Sequence, residues 1–123
     1  MLLGNFFTID EKNVTENTVS ATVTINALHK IFEGHFPGQP VVPGVCMMQM
    51  VKELLETVIE KKTTVKKMGE LKFLAIINPV ENPSVQAEFS FTTKEDELVH
   101  VSGRFYKSDT TYLKFKGSFL PAV

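Results

Sequence analysis

The sequence predicts an α+β fold, a curved antiparallel sheet of about six strands wrapped around one central helix. Three observations lead there. Residues 19–25 place Val19, Ala21, Val23 and Ile25 on one side and Ser20, Thr22 and Thr24 on the other, the period-two pattern of a strand buried on one face. From Val45 the period changes: Val45, Met48, Val51, Leu55 and Val58 or Ile59 recur at three and four, a helix with Lys52, Glu53, Glu56 and Glu60 mostly on its other side. After it the chain is strand-like again. Segments 70–77, 85–91, 99–105 and 113–119 are separated by Asn78-Pro79, Asn82-Pro83, Lys94-Glu95-Asp96 and residues 107–110. Residues 6–11 pair as a hairpin with 19–25 across the polar stretch 13–17. Short connections between alternating strands imply antiparallel pairing, and only the one long helix is available to cover the apolar face.

Within that helix the first two turns, from Val45 to Val51, are apolar nearly all round and are expected to be buried on more than one side. Lys61 and Lys62 are placed at its C-terminal end, where the helix dipole favours cations. With Lys66 and Lys67 they form a basic cluster, read first as a solvated helix end and second as a docking patch for an acidic protein.

A chain of 123 residues fits one domain spanning 1–123, without repeats or a linker. The formal net charge of −1 provides no basic field for nucleic acid. The single cysteine, Cys46, excludes an internal disulfide and a cysteine-based metal cluster, and is expected to pack as a small apolar residue in the helix. The apolar start, Met1 to Phe7, lacks a basic leader region and meets Asp10 and Glu11 at once, so it is not read as a signal peptide. No run approaches the roughly 18 apolar residues of a membrane span. The expected location is cytoplasmic, where the Asn13-Val14-Thr15 sequon stays unmodified.

The chemistry is expected in residues 32–45, Phe-Glu-Gly-His-Phe-Pro-Gly-Gln-Pro-Val-Val-Pro-Gly-Val. Three prolines and three glycines fix the dihedrals of this loop, which carries His35 and delivers Pro43-Gly44 to the helix start. Free N–H groups at a helix N-terminus suit a carbonyl oxygen that gains negative charge. A base and an oxyanion site joined by one rigid loop suit proton abstraction next to a carbonyl. A lone histidine beside Phe and Pro also serves to cap a buried turn, the blander use of His35.

The string Gly34-His35-Phe36-Pro37-Gly38-x-Pro40-x-x-Pro43-Gly44-Val45, with Phe32 ahead of it, resembles the signature loop of bacterial 3-hydroxyacyl-(acyl carrier protein) dehydratases of fatty-acid biosynthesis. Lys72-Phe73 and Pro79-Val80-x-Asn82-Pro83 resemble, in degraded form, that family's Lys-Phe-x-x-Pro-Val-x-Pro-Gly-Asp stretch. The resemblance implies a hot-dog fold and removal of water from a carrier-bound 3-hydroxyacyl thioester to give the trans-2-enoyl thioester. It implies no metal or dissociable cofactor, a phosphopantetheine-bearing acyl carrier protein as partner, and a dimer or assembly of dimers with the acyl tunnel at the interface. It carries the catalytic base to His35 and the thioester-binding N–H to Gly44, with Val45 beside it. The family's helix carboxylate, which faces the loop histidine across the interface, falls on Gln49. An amide bonds but does not titrate. Gln49 is therefore expected to orient the substrate hydroxyl or its departing water, while Glu53, one turn on along the same face, is read first as a solvated glutamate and second as a residue that reaches the site.

Two other functions fit the same residues. One is a non-catalytic or half-catalytic hot-dog subunit that binds an acyl chain and complements an acid-bearing homologue in a heterodimer; the other is thioester hydrolysis. His29 and His35 have no third ligand at zinc spacing, and no Gly-Lys-Ser/Thr follows the glycines as a phosphate loop requires. His100 alternates with core positions and is expected at the surface.

Overall fold

The computed structural model describes residues 1–34, 36 and 38–123. Strands β1 (Phe7–Thr15) and β2 (Thr18–Ile25) are followed by a one-turn helix α1 (Ile31–Gly34) and the long helix α2 (Gly44–Ile59). Then come β3 (Thr63–Phe73), β4 (Ser84–Thr93), β5 (Val99–Lys107) and β6 (Thr110–Pro121). The six strands form one antiparallel sheet in the order β1-β2-β4-β5-β6-β3.

Alternation puts one face of this sheet inward. Val19, Ala21, Val23 and Ile25 of β2, Val85, Ala87 and Phe89 of β4, Val99, Val101 and Phe105 of β5, and Leu113, Phe115 and Phe119 of β6 are all buried. They form a single cluster with Cys46, Met47, Met50, Val51, Leu54 and Leu55 of α2. Burying those six helix side chains contributes on the order of 10 kcal/mol, comparable to the whole net stability of a small domain. Gly103 lies between Phe89 and Phe115 in the strand register, and the two rings meet at 6.2 Å between centroids. A Cβ at residue 103 would stand 2.2 Å from the Glu88 carbonyl oxygen, so only glycine fits.

Several sequence expectations are corrected. β3 begins at Thr63 rather than residue 70 and ends at Phe73 rather than residue 77. It is an edge strand, mostly exposed, with register shifts at Val65/Lys67 and Met68/Glu70, so it carries no clean alternation to read. β3 pairs with β6, and residues 74–83 cross to β4 on the far side of β5 and β6, so these consecutive strands are not neighbours. Lys66 and Lys67 belong to β3, not to a helix end; Lys61 and Lys62 follow the left-handed C-cap residue Glu60 at φ 57°.

The buried side of α2 is also rotated from its expected position. Val45 is 73 % exposed, whereas Glu53 and Glu56, expected in solvent, are 1 % and 8 % exposed. Periodicity could not show this, because donors that make these buried carboxylates tolerable come from outside the helix, Leu2 and Leu3 for Glu53 and Thr63 for Glu56. Glu56 accepts the Thr63 N–H at 2.7 Å, the Thr63 hydroxyl at 3.1 Å and the Lys52 ammonium at 2.9 Å, tying the helix to the start of β3. Burial pushes its carboxyl pKa up, but these bonds together outweigh burial and hold it below the ordinary value of 4.5.

A carboxyl with a lowered folded-state pKa adds stability above its unfolded pKa and loses it as pH falls through the folded one. Urea unfolding across a pH series should therefore show wild-type stability declining as pH falls below about 4.5. Glu56→Gln should lower neutral-pH stability by about 1–3 kcal/mol and flatten that acid slope. An unchanged slope would remove Glu56 as its source.

Candidate active site

The site is built at the start of α2. Pro43, the N-cap, has φ −63° and ψ 145° and offers no side-chain cap. Its carbonyl accepts the N–H groups of Cys46 at 3.0 Å and Met47 at 3.2 Å. The N–H groups of Gly44 and Val45, the first two of the helix, are left without an acceptor among the described residues. Both expected oxyanion donors thus lie side by side at the positive end of the helix dipole.

The approach to this helix start is braced on both sides. Phe36 and Gln39 exchange backbone hydrogen bonds of 3.1 and 2.9 Å, with Gly38 at φ +78° as the tight turn requires. The Val42 N–H reaches the Ile77 carbonyl at 3.0 Å. The Phe73 ring, at the end of β3, covers Gly44 so closely that a Cβ there would lie 2.8 Å from its Cζ. His35, the expected base, lies outside the described residues, as does Pro37.

Upstream, the His29 Nδ1 accepts the Ile31 N–H at 3.1 Å, and its ring meets Phe6 edge-on at 5.3 Å. His29 thus caps the turn that leads into α1. Phe6 also stacks near the buried Phe32, fixing α1 ahead of the loop.

Gln49 stands one turn beyond Val45 on the same side of α2. Its Nε2 donates to the Glu53 Oε2 at 2.8 Å. Glu53 also accepts the N–H of Leu2 on both oxygens, at 3.0 and 2.9 Å, and the N–H of Leu3 at 2.7 Å. The expected solvated glutamate is instead an acceptor hub joining α2 to the first residues of the chain. The i,i+4 spacing of Gln49 and Glu53 was the only hint in the sequence; Leu2 and Leu3 gave none.

Cys46 is buried, which raises its thiol pKa. His100 is half-buried and bonds Asp96 at 2.9 Å; the Leu98 N–H and then this histidine lower the Asp96 pKa. Among the described residues no group of three His, Cys, Asp or Glu side chains is placed to hold a metal ion. No helix among them is long and apolar enough to cross a membrane.

A profile of the ApeI-like family, described as ApeI dehydratase, matches residues 11–121. The chain belongs to the ApeI-like dehydratase family. Among curated relatives, a 3-hydroxyacyl-[acyl-carrier-protein] dehydratase FabZ of Caldicellulosiruptor saccharolyticus is 34 % identical over 89 residues, 72 % of this chain and 61 % of the relative. Its counterpart in Lactobacillus helveticus is 38 % identical over 71 residues, 57 % of this chain and 45 % of the relative. The chain thus spans between about half and two thirds of the length of these relatives.

Among solved structures, the dehydratase heterocomplex ApeI:P from Xenorhabdus doucetiae superposes with a TM-score of 0.66 at 18 % identity, covering 91 % of this chain and 96 % of that one. A mutant thioesterase from Pseudomonas aeruginosa gives 0.61 at 9 % identity, covering 94 % and 82 %. At these identities the likeness establishes the hot-dog fold, and chemistry must come from the site itself.

Gly44→Ala gains helix propensity but forces the Phe73 ring aside, for an expected net loss of about 1 kcal/mol. In a double-mutant cycle with Phe73→Ala, chemical denaturation should show that loss disappearing once the ring is gone. Additive effects would mean that the ring does not press on Gly44.

Proposed function

We propose that this protein is a dehydratase acting on a 3-hydroxyacyl thioester carried on the phosphopantetheine arm of an acyl carrier protein. The observation that carries the reading is the pair of N–H groups at Gly44 and Val45 that have no acceptor among the described residues, at the end of a loop whose sequence matches the dehydratase signature. Membership of the ApeI-like family supports it.

In this reading the thioester carbonyl oxygen accepts the N–H groups of Gly44 and Val45. His35 takes the proton from the carbon next to the carbonyl, and the two N–H groups stabilise the enolate oxygen that forms. The electrons then collapse into the new carbon–carbon double bond as the C3–oxygen bond breaks. The imidazolium returns its proton to the departing hydroxyl, which leaves as water and restores neutral His35. One imidazole thus balances both proton transfers, as it must where Gln49 cannot titrate. The Gln49 amide orients the hydroxyl.

Val45, Phe73, Leu74 and Ile76 are apolar, 73 %, 49 %, 54 % and 70 % exposed, and lie around the start of α2 and the end of the edge strand β3. A second subunit packed here would cover them and close the acyl site at the interface.

The test is turnover of a synthetic 3-hydroxyacyl pantetheine thioester, followed by the absorbance of the conjugated product. Wild type should form the enoyl thioester, and His35→Ala should lose about 10²–10⁴-fold in rate. An unchanged His35→Ala rate would overturn the assignment of the base.

Gln49 favours a second reading, a half-catalytic subunit that works beside an acid-bearing homologue. That reading expects the pure protein to be inactive and to co-purify with a second hot-dog chain; full activity of the homodimer would exclude it.

A further inference from the structure

We infer that Glu53 is a positioning residue that fixes which face of the Gln49 amide meets the substrate, so that the site receives the 3-hydroxyl through the Gln49 carbonyl oxygen. The inference rests on the dehydratase reading above and assigns a role to a residue that reading does not use.

The geometry leaves one choice. A carboxylate only accepts hydrogen bonds, and Glu53 already holds the N–H groups of Leu2 and Leu3. At 1 % exposure no bulk water can take the place of a lost donor. The neighbouring amide must therefore turn its NH₂ group toward Oε2, where it lies at 2.8 Å. Were it flipped, two oxygens would face each other across that distance, a contact that repels and leaves a buried carboxylate lone pair unmet. The Gln49 Oε1 is consequently the atom left to accept from a ligand.

An amide free to flip would serve equally as donor or acceptor. A fixed one reads the ligand as a donor, which a 3-hydroxyl is and a 3-deoxy chain is not. The substrate hydroxyl would donate to Oε1, leaving its own lone pairs open to the proton that His35 returns. Glu53 acts through Gln49 and touches no reacting atom.

The test separates positioning from folding and from turnover. Pantetheine amides of a medium-chain 3-hydroxy acid and of its 3-deoxy counterpart, in which nitrogen replaces the thioester sulfur and slows elimination, are titrated calorimetrically against the protein. Wild type should prefer the hydroxy compound by about 3–10-fold, the value of one hydrogen bond. Glu53→Gln can still accept the Leu2 and Leu3 N–H groups but lets residue 49 flip, and should lose most of that preference. Gln49→Leu should lose it while keeping the Leu2 and Leu3 bonds. The exchange Gln49→Glu with Glu53→Gln rebuilds a carboxylate–amide pair and should recover preference for the hydroxyl, with a dehydration rate that now depends on the pH at which the new acid titrates.

Glu53→Gln retaining the wild-type preference while Gln49→Leu abolishes it would overturn the positioning role. So would equal wild-type binding of the two amides, and turnover of the thioester in that case would leave the dehydratase reading standing. Binding of neither compound, together with no turnover, would instead remove the dehydratase reading itself and this inference with it.

Discussion

Burial of α2 against the inner face of the sheet is the constraint on which the rest of the molecule depends. The core cluster draws on β2, β4, β5 and β6 and on six apolar side chains of the one long helix, so each layer buries its apolar face against the other. The phenyl rings of Phe89 and Phe115 meet across the space that Gly103 leaves open. With the helix axis fixed by that packing, its N-terminal turn is fixed too. The N–H groups of Gly44 and Val45 then sit on a rigid element and not on a loop, the arrangement that a preorganised oxyanion site needs.

Two buried carboxylates complete the tether. Glu56 ties the helix to the first residue of β3, and Glu53 ties it to Leu2 and Leu3. Each charge is tolerable because several donors converge on it, and each makes the position of a segment outside the helix conditional on the helix. One side of α2 is thereby held by apolar packing and the next by hydrogen bonds. Gln49 lies between the exposed Val45 and the buried Glu53, where the fold's own bonding network reaches the candidate site.

The exposed apolar groups around the helix start point the same way. Val45 and Ile76 stay largely in solvent although their chain neighbours Cys46 and Ile77 are buried. Hydrophobic groups left open beside unsatisfied N–H groups and an unpaired strand edge are expensive to maintain in water. The proposed acyl site and subunit interface would use both features at once, the first through the N–H groups and the second through the apolar surface.

Much of this was legible in the sequence. Val19 to Ile25 and the later alternating segments determined strands, the three-and-four spacing after Val45 determined the helix, and the Gly-His-Phe-Pro-Gly string determined where to look for chemistry. These signals are local: a strand's period and a proline's fixed φ need no partner. Tertiary structure alone decided the rest. It placed β3 at the edge beside β6, turned Val45 outward, and buried Glu53 and Glu56. The edge position of β3 and the burial of Glu53 depend on groups dozens of residues away, such as the Leu2 N–H that lies 51 positions from Glu53. The sequence determined that residue 49 is an amide. Only the folded chain, by bringing the backbone of Leu2 and Leu3 to the next helical turn, decided which way that amide faces.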